Sequence, residues 1–382
     1  MRNDNSSREK RSQHRVFERR TVLKSVGAMT TVGGVAGLAG CFGAEDGNGD
    51  GEAGDDGDED IEDLPEVEMT IHHLLDPSFE SADHRAAVTF QEFMERRTGG
   101  RFQVDIAPAG ELAGDVESIE QAQEGAIEMV KVAGGHLAPF YPNINAISVP
   151  YAFPNIDVAN YVFQHEFGDT LREGIRDELG LVSIGNYDNG GFRDYSANEP
   201  LTGPESFEGL SIRNMDIEPH MEITRQLGAS PEPIDWTELY EALDTGVVDG
   251  QENAIPTFLA GSLQEVQDYF ILDHHVYSLT MTLANGDWYD DLHPTYQELV
   301  EHGMTLGARD AERVNRLLRN HGIEIMEDAG VEVYEPTEDE MEEFQEITQE
   351  PVIDVIEDIV DDPGLIDELL TAADEAEDAL GM

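Results

Sequence analysis

From Val67 onward the chain switches repeatedly between two apolar periods, and this alternation restricts its fold more than any other feature. Val67-Glu68-Met69-Thr70-Ile71 alternates with period two, the pattern of a strand. Ser81 then stands where it caps a helix whose apolar face is Ala86, Phe90, Phe93 and Met94, and Thr98-Gly99-Gly100 stops it. Phe102, Val104 and Ile106 alternate as the next strand. A helix over about 116–124 and an apolar strand over 126–133 follow. This strand–helix order predicts an α/β fold with a largely parallel sheet. The order resumes after Asn189-Gly190-Gly191 with a strand at 210–213 and a helix starting near Pro219, a favourable first-turn residue. Asp235-Trp236-Thr237-Glu238 reads as an acidic capping box opening a helix over 239–244. A long helical stretch runs from Pro294 to about residue 320, with Gly303 and Gly307 as weak points, and the rest is mostly helical. A length of 382 residues suits two domains.

None of this periodicity reaches the first sixty residues. Arg8, Lys10, Arg11, Arg15, Arg19 and Arg20 precede an apolar, Gly-rich run over 26–39. That run is shorter than the about 20 residues a membrane span needs, and it fits a signal-peptide core. Arg19-Arg20-Thr21-Val22-Leu23-Lys24 resembles a twin-arginine export motif, with Val22 where an aromatic is more usual. Leu38-Ala39-Gly40-Cys41 resembles a lipobox, which implies that Cys41 becomes the first mature residue and carries lipid. The plainer alternative is a small-residue helix end with an incidental cysteine. Cys41 is the chain's single cysteine, so no disulfide forms within it. From 44 to about 62 the chain is Gly, Asp and Glu with almost nothing apolar, a self-repelling spacer. The run from Asp46 begins like a calcium loop, but Gly57 stands at the twelfth position where a bidentate Glu is required.

The spacer belongs to a wider imbalance: 82 acidic side chains face 22 basic ones, a net charge of −60. Nucleic-acid binding rests on neutralising phosphates with Lys and Arg, so that class is excluded. Disorder is rejected for the body because its apolar periodicity persists. The remaining reading is a folded protein made for very high salt, from an extreme halophile: at about 1 M ionic strength the Debye length is about 3 Å and surface repulsion is screened.

The informative segment runs from Phe192 to Asn285. It contains Gly191-Phe192-Arg193, Gly209-Leu210-Ser211-Ile212-Arg213, Trp236-Thr237-Glu238-Leu239-Tyr240, Val248-Asp249-Gly250-Gln251-Glu252-Asn253 and His275. Upstream stand Pro108-Ala109-Gly110-Glu111-Leu112 and Val149-Pro150-Tyr151-Ala152-Phe153-Pro154. Together these closely resemble the DctP-like substrate-binding subunits of tripartite ATP-independent periplasmic (TRAP) transporters, over roughly 67–370. The resemblance implies a two-lobed periplasmic-binding-protein-like α/β fold with a ligand cleft between lobes and a long bracing helix. Before it stand a leader, 1–40, and a lipid-attached acidic linker, 41–66, read from their own motifs. Lobe one takes 67–189 with 279–321, and lobe two takes 190–278 with 322–382. The resemblance also implies that Arg193 and Arg213 bind a ligand carboxylate, that Asn253 contacts ligand, that Trp236 walls the cleft, and that His275 is structural. Met215, two residues after Arg213, is expected to face the same way. The implied function is capture of a small organic acid for the membrane components of such a transporter. The alternative is a sensor subunit of the same fold partnering a signalling protein.

Physical chemistry supports the arginines independently. A guanidinium offers two parallel donors to a planar carboxylate, and salt screens a desolvated pair far less than a surface one. Read without the resemblance, either arginine also suits a structural ion pair. Asn253 also suits a turn, and Trp236 and Met215 suit the core. Lys131 is the only lysine after the leader and sits in the apolar run Met129-Val130-Lys131-Val132-Ala133. A charge there needs a partner: a second anionic group of the ligand, or an Asp or Glu at a strand end. Ala133 and Gly134 stand where family members place polar ligand contacts, which leaves the ligand's identity open. The pairs His72-His73 and His274-His275 are adjacent and point to opposite faces if in strands, which disfavours shared metal ligation. There is no Gly-x-Ser-x-Gly elbow, phosphate loop or zinc motif, so no catalytic residue, metal or cofactor is expected.

Overall fold

The computed structural model describes residues 61–78 and 80–382. The leader, Cys41 and the spacer up to residue 60 lie outside the described residues. Nine strands form one sheet: β1 Val67–His73, β2 Phe102–Ala107, β3 Met129–Ala133, β4 Leu181–Ala197, β5 Ser211–Asn214, β6 Ser230–Pro233, β7 Gly250–Asn253, β8 Tyr269–Asn285 and β9 Glu332–Tyr334. Their order is β2-β1-β3-β8-β4-β7-β5-β6, with β9 beside β8.

The largely parallel sheet expected from the strand–helix alternation is only half observed. Each flank is parallel, β2-β1-β3 on one side and β7-β5-β6 on the other. The two flanks are joined through β4 and β8, which run antiparallel to one another for their whole length. Each has 17 residues, roughly 55 Å at about 3.3 Å per residue. Such strands link the two flanks, β8 pairing β3 and β4 pairing β7, and β8 is buried almost continuously. That explains why no clean alternation marks it in the sequence.

The β4 ladder slips between Asp188 and Gly191. Gly190 and Gly191 have φ of 94° and 101° there, a conformation that glycine adopts without the cost of a Cβ. Behind the bulge lies a 36-residue helix, Pro294–Ala329. Arg319 Nη1 donates to Asp188 Oδ1 at 2.8 Å, and Asn315 Nδ2 donates to the Asp188 carbonyl at 2.6 Å. This helix runs unbroken through Gly303 and Gly307. A Cβ on Gly307 would lie 2.7 Å from the Ala86 carbonyl oxygen, so these glycines are notches that admit the crossing helix Ala82–Arg97.

Separate apolar clusters build the flanks. Phe90, Met94, Phe102, Tyr296 and Val300 pack in one, and Leu239, Leu243, Phe258, Phe270 and Met326 in another. Each such buried side chain contributes about 1.5–3 kcal/mol. The largest cluster joins the sheet to helices Glu166–Leu179, Glu338–Ile359 and Gly364–Leu380 through Ile175, Leu181, Phe344 and Leu369. One of the two expected helix caps forms and the other does not. Ser81 does cap its helix, accepting from His84 N–H. Asp235 makes no capping bond; the carboxylate of Asp115, far away in sequence, accepts from Trp236 N–H at 3.1 Å instead. The capping box of this fold is Thr337 with Glu340. Among the described residues no helix is long and apolar enough to cross a membrane.

Candidate ligand-binding cavity

A cavity lies between the two parallel flanks. From the first flank come Asp83, Asp115, Lys131 and His136; from β4 and the second flank come Asn189, Arg193, Arg213, Met215, Trp236 and Asn253. All six residues singled out in the described sequence therefore line one space. The volume is about 40 Å3, room for about three waters at about 10–15 Å3 each. A larger solute requires the flanks to part.

Arg213 ends the short strand β5 and is 1 % exposed. Its Nε donates to the Ile234 carbonyl at 2.7 Å. Among the described residues no protein atom accepts from Nη1 or Nη2, which leaves the outer edge of the fork for the cavity. Burial lowers its pKa to about 10, opposed by Asp115 and Glu252, so it is charged at neutral pH. Arg193 follows the bulge in β4 and is held more firmly. Its Nε donates to the Glu252 carboxylate, Nη2 to the Glu252 carbonyl at 2.6 Å, and Nη1 to Ser278 Oγ at 3.3 Å.

Glu252 is wholly buried. Burial alone would raise its pKa, but Arg193 and the nearby His220 and His275 outweigh that and hold it well below the usual carboxylate range. His275 Nδ1 lies 2.8 Å from Asp273 and its Nε2 3.5 Å from Glu252. Burial disfavours its charge, yet Asp273 and Glu252 raise its pKa to about 9. Asn253, one residue on, donates to Gln251 Oε1 at 2.6 Å. The half-buried Trp236 indole rests against Gly261, where a Cβ would lie 2.8 Å from its ring.

Lys131 is also buried and faces the cavity. Its Nζ donates to Thr282 Oγ1 at 3.1 Å and sits 4.5 Å from the centre of the Tyr187 ring. The Tyr187 hydroxyl donates to Asp83. Burial lowers the Lys131 pKa to about 8, opposed by Asp83. The same burial raises Asp83, opposed by Lys131. Across the cavity Asp115 Oδ1 lies 3.4 Å from His136 Nδ1, a histidine whose pKa burial lowers.

Asp83, Asp115, His136 and Asn189 escaped the reading of the sequence. Two aspartates among 82 acids carry no mark; Asp83 reads as a first-turn helix acid, and Asp115 likewise. The pair His72-His73 does split as strand geometry requires. His72 meets the carbonyls of Ala107 and Ala113, whereas His73 Nε2 meets His84 Nδ1 at 3.1 Å. Among the described residues no group of three or more His, Cys, Asp or Glu is placed to hold a metal ion. A much larger depression of about 850 Å3, between helices Glu166–Leu179 and Gly364–Leu380, includes Glu166, Asp169, Asp367, Glu368 and Glu375 and no Lys or Arg. It repels anions, so the smaller cavity is the candidate site.

A family model described as bacterial extracellular solute-binding protein, family 7 (DctP), matches residues 77–358. The C4-dicarboxylate-binding periplasmic protein DctP of Rhodobacter capsulatus is 29 % identical over 280 residues, 72 % of this chain and 82 % of that protein. A solute-binding protein of a Polaromonas species, solved bound to D-erythronate, is 25 % identical with a TM-score of 0.74, covering 81 % of this chain and 98 % of that one. The sugar acid binding protein DctPAm of Advenella mimigardefordensis, solved with galactonate, has the same fold, with a TM-score of 0.78 at 24 % identity over 82 % of this chain and all of that one.

Proposed function

Since the chain belongs to family 7 of the bacterial extracellular solute-binding proteins, the DctP family, we propose that it captures a small organic acid outside the cytoplasm and delivers it to the membrane components of a TRAP transporter. The outer edge of Arg213, which faces the cavity with no hydrogen-bond acceptor among the described residues, carries this reading. A charge-assisted bond to a carboxylate contributes roughly 1.5–3 kcal/mol, and two parallel ones fix its orientation. Arg193 is the second anchor, Asn253 and Lys131 are polar contacts, and Trp236 and Met215 are walls. The relatives' ligands, C4-dicarboxylates, erythronate and galactonate, share a carboxylate. The protein binds and releases its ligand unchanged, without catalysis.

The lobes are 67–189 with 279–321, and 190–278 with 322–382. The β4 bulge, which lies at this boundary, supports it as the hinge. The leader is a twin-arginine signal, and lipid on Cys41 tethers the chain to the outer face of the membrane through the acidic spacer. The order of basic stretch, small apolar run and Leu-Ala-Gly-Cys supports both. Recovery of a Cys41→Ser chain in the soluble fraction tests the tether.

Thermal unfolding of the purified chain in multi-molar salt against a panel of organic acids tests capture. A ligand at about 100 times its Kd adds about 2.7 kcal/mol of stability. If no carboxylate raises the midpoint of a folded sample, the ligand is of another class.

A further inference from the structure

The cavity has two poles of different chemistry. At one, Arg213 presents a cationic edge beside Arg193. At the other, Lys131 and Asp83 converge on Tyr187, through the lysine above the ring and the carboxylate at the hydroxyl. Asp83 Oδ1 accepts from the Tyr187 hydroxyl, and among the described residues no donor reaches Oδ2. The cations Lys131, Arg193 and Arg213 are matched by Asp83, Asp115 and the Arg193-bound Glu252. Each pole therefore already holds an acid beside its cation before any solute arrives.

A second ligand carboxylate at the far pole meets opposite responses, attraction from Lys131 and repulsion from Asp83. Its dehydration is then offset by little. A hydroxyl group there satisfies both partners, accepting from the ammonium and donating to the carboxylate. The Trp236 indole adds a flat apolar wall, suited to the C–H face of a hydroxylated carbon chain. We propose that this cavity selects a monocarboxylate bearing hydroxyl groups over an unhydroxylated dicarboxylate, with Asp83 and Lys131 as the residues that set the choice. This inference rests on the cavity being the ligand site.

Calorimetric titration of the full chain with D-gluconate, D-erythronate, succinate and glutarate tests it, alongside the variants Asp83→Asn, Lys131→Met and Arg213→Ala, each checked for a cooperative melt. The native chain binds a hydroxy acid at least about tenfold more tightly than either dicarboxylate. Asp83→Asn leaves Lys131 uncompensated, so that preference shrinks by about tenfold or reverses. Lys131→Met weakens the hydroxy acid by about tenfold without helping succinate. A native chain that favours succinate or binds neither hydroxy acid overturns the inference, as does an Asp83→Asn chain with an unchanged preference. Arg213→Ala abolishes all binding; if it does not, the placement of the site itself is wrong, a failure distinct from one of selectivity.

Discussion

Glu252 shows how one residue is spent on holding another. Its carboxylate and carbonyl both accept from Arg193, so the guanidinium cannot swing toward the many other acids of this chain. The histidines beneath the cavity extend the same logic to pH. His275 keeps its proton in the folded protein up to about pH 9, whereas an unfolded histidine releases it near 6.5. This contribution is complete below pH 6.5 and is lost as pH rises toward 9, with a ceiling of about 3 kcal/mol at about 1.4 kcal/mol per pH unit. His73 acts in the opposite sense. Burial, then Lys131, lowers its pKa to about 3, so its contribution is complete above 6.5 and falls as pH drops toward 3. Unfolding midpoints measured across pH at constant salt are expected to peak near pH 6.5–7, and His275→Gln is expected to flatten the alkaline limb. An alkaline limb that is unchanged in the variant rules His275 out as its source.

At the scale of elements, the legible pieces were those stabilised locally. The helix Ala82–Arg97 was announced by its own cap and apolar stripe, and β1 and β2 by alternation. The start of helix Trp236–Asp244 was misread because its bond comes from Asp115, across the cavity. Gly303 and Gly307 were misread as weak points because helix crossing is not a property of one segment. Competing magnitudes make this testable. Alanine at Gly307 gains about 1 kcal/mol of helix propensity, yet its Cβ would sit 2.7 Å from a backbone carbonyl of the helix Ala82–Arg97. Gly307→Ala is expected to lower stability by about 1–3 kcal/mol in denaturant titrations. Gly303→Ala, whose nearest neighbour is the Phe93 ring, is expected to cost less because a side chain yields more easily than backbone.

For the whole molecule, the charge of −60 couples stability to ionic strength. Lowering ionic strength from about 1 M to 0.1 M lengthens screening from about 3 Å to about 10 Å, so each surface carboxylate then feels several neighbours. The folded state gathers these charges, and unfolding relieves them. The unfolding midpoint is expected to rise by about 10 °C or more between 0.1 M and multi-molar salt, a few kcal/mol at about 2–4 °C per kcal/mol. A midpoint independent of salt removes the case for a high-salt protein. The buried Arg193–Glu252 pair is little affected by this screening, so the cavity keeps its geometry while the surface changes.

Local pattern determined the α/β class and the start of the strand–helix alternation at Val67, because periodicity is written in consecutive residues, and the family resemblance of its motifs, with the lone Lys131, picked out the six side chains that line the cavity. Only the tertiary structure decided that β4 and β8 cross antiparallel between parallel flanks. It alone set Asp83 beside Lys131 and Asp115 beside Arg213, and left one arginine edge open while the other is clamped. The reason is physical: pairing across a cavity joins residues that are distant in sequence, 48 positions for Asp83 and Lys131 and 98 for Asp115 and Arg213, and nothing in the neighbourhood of an aspartate among 82 acids says which cation it will face.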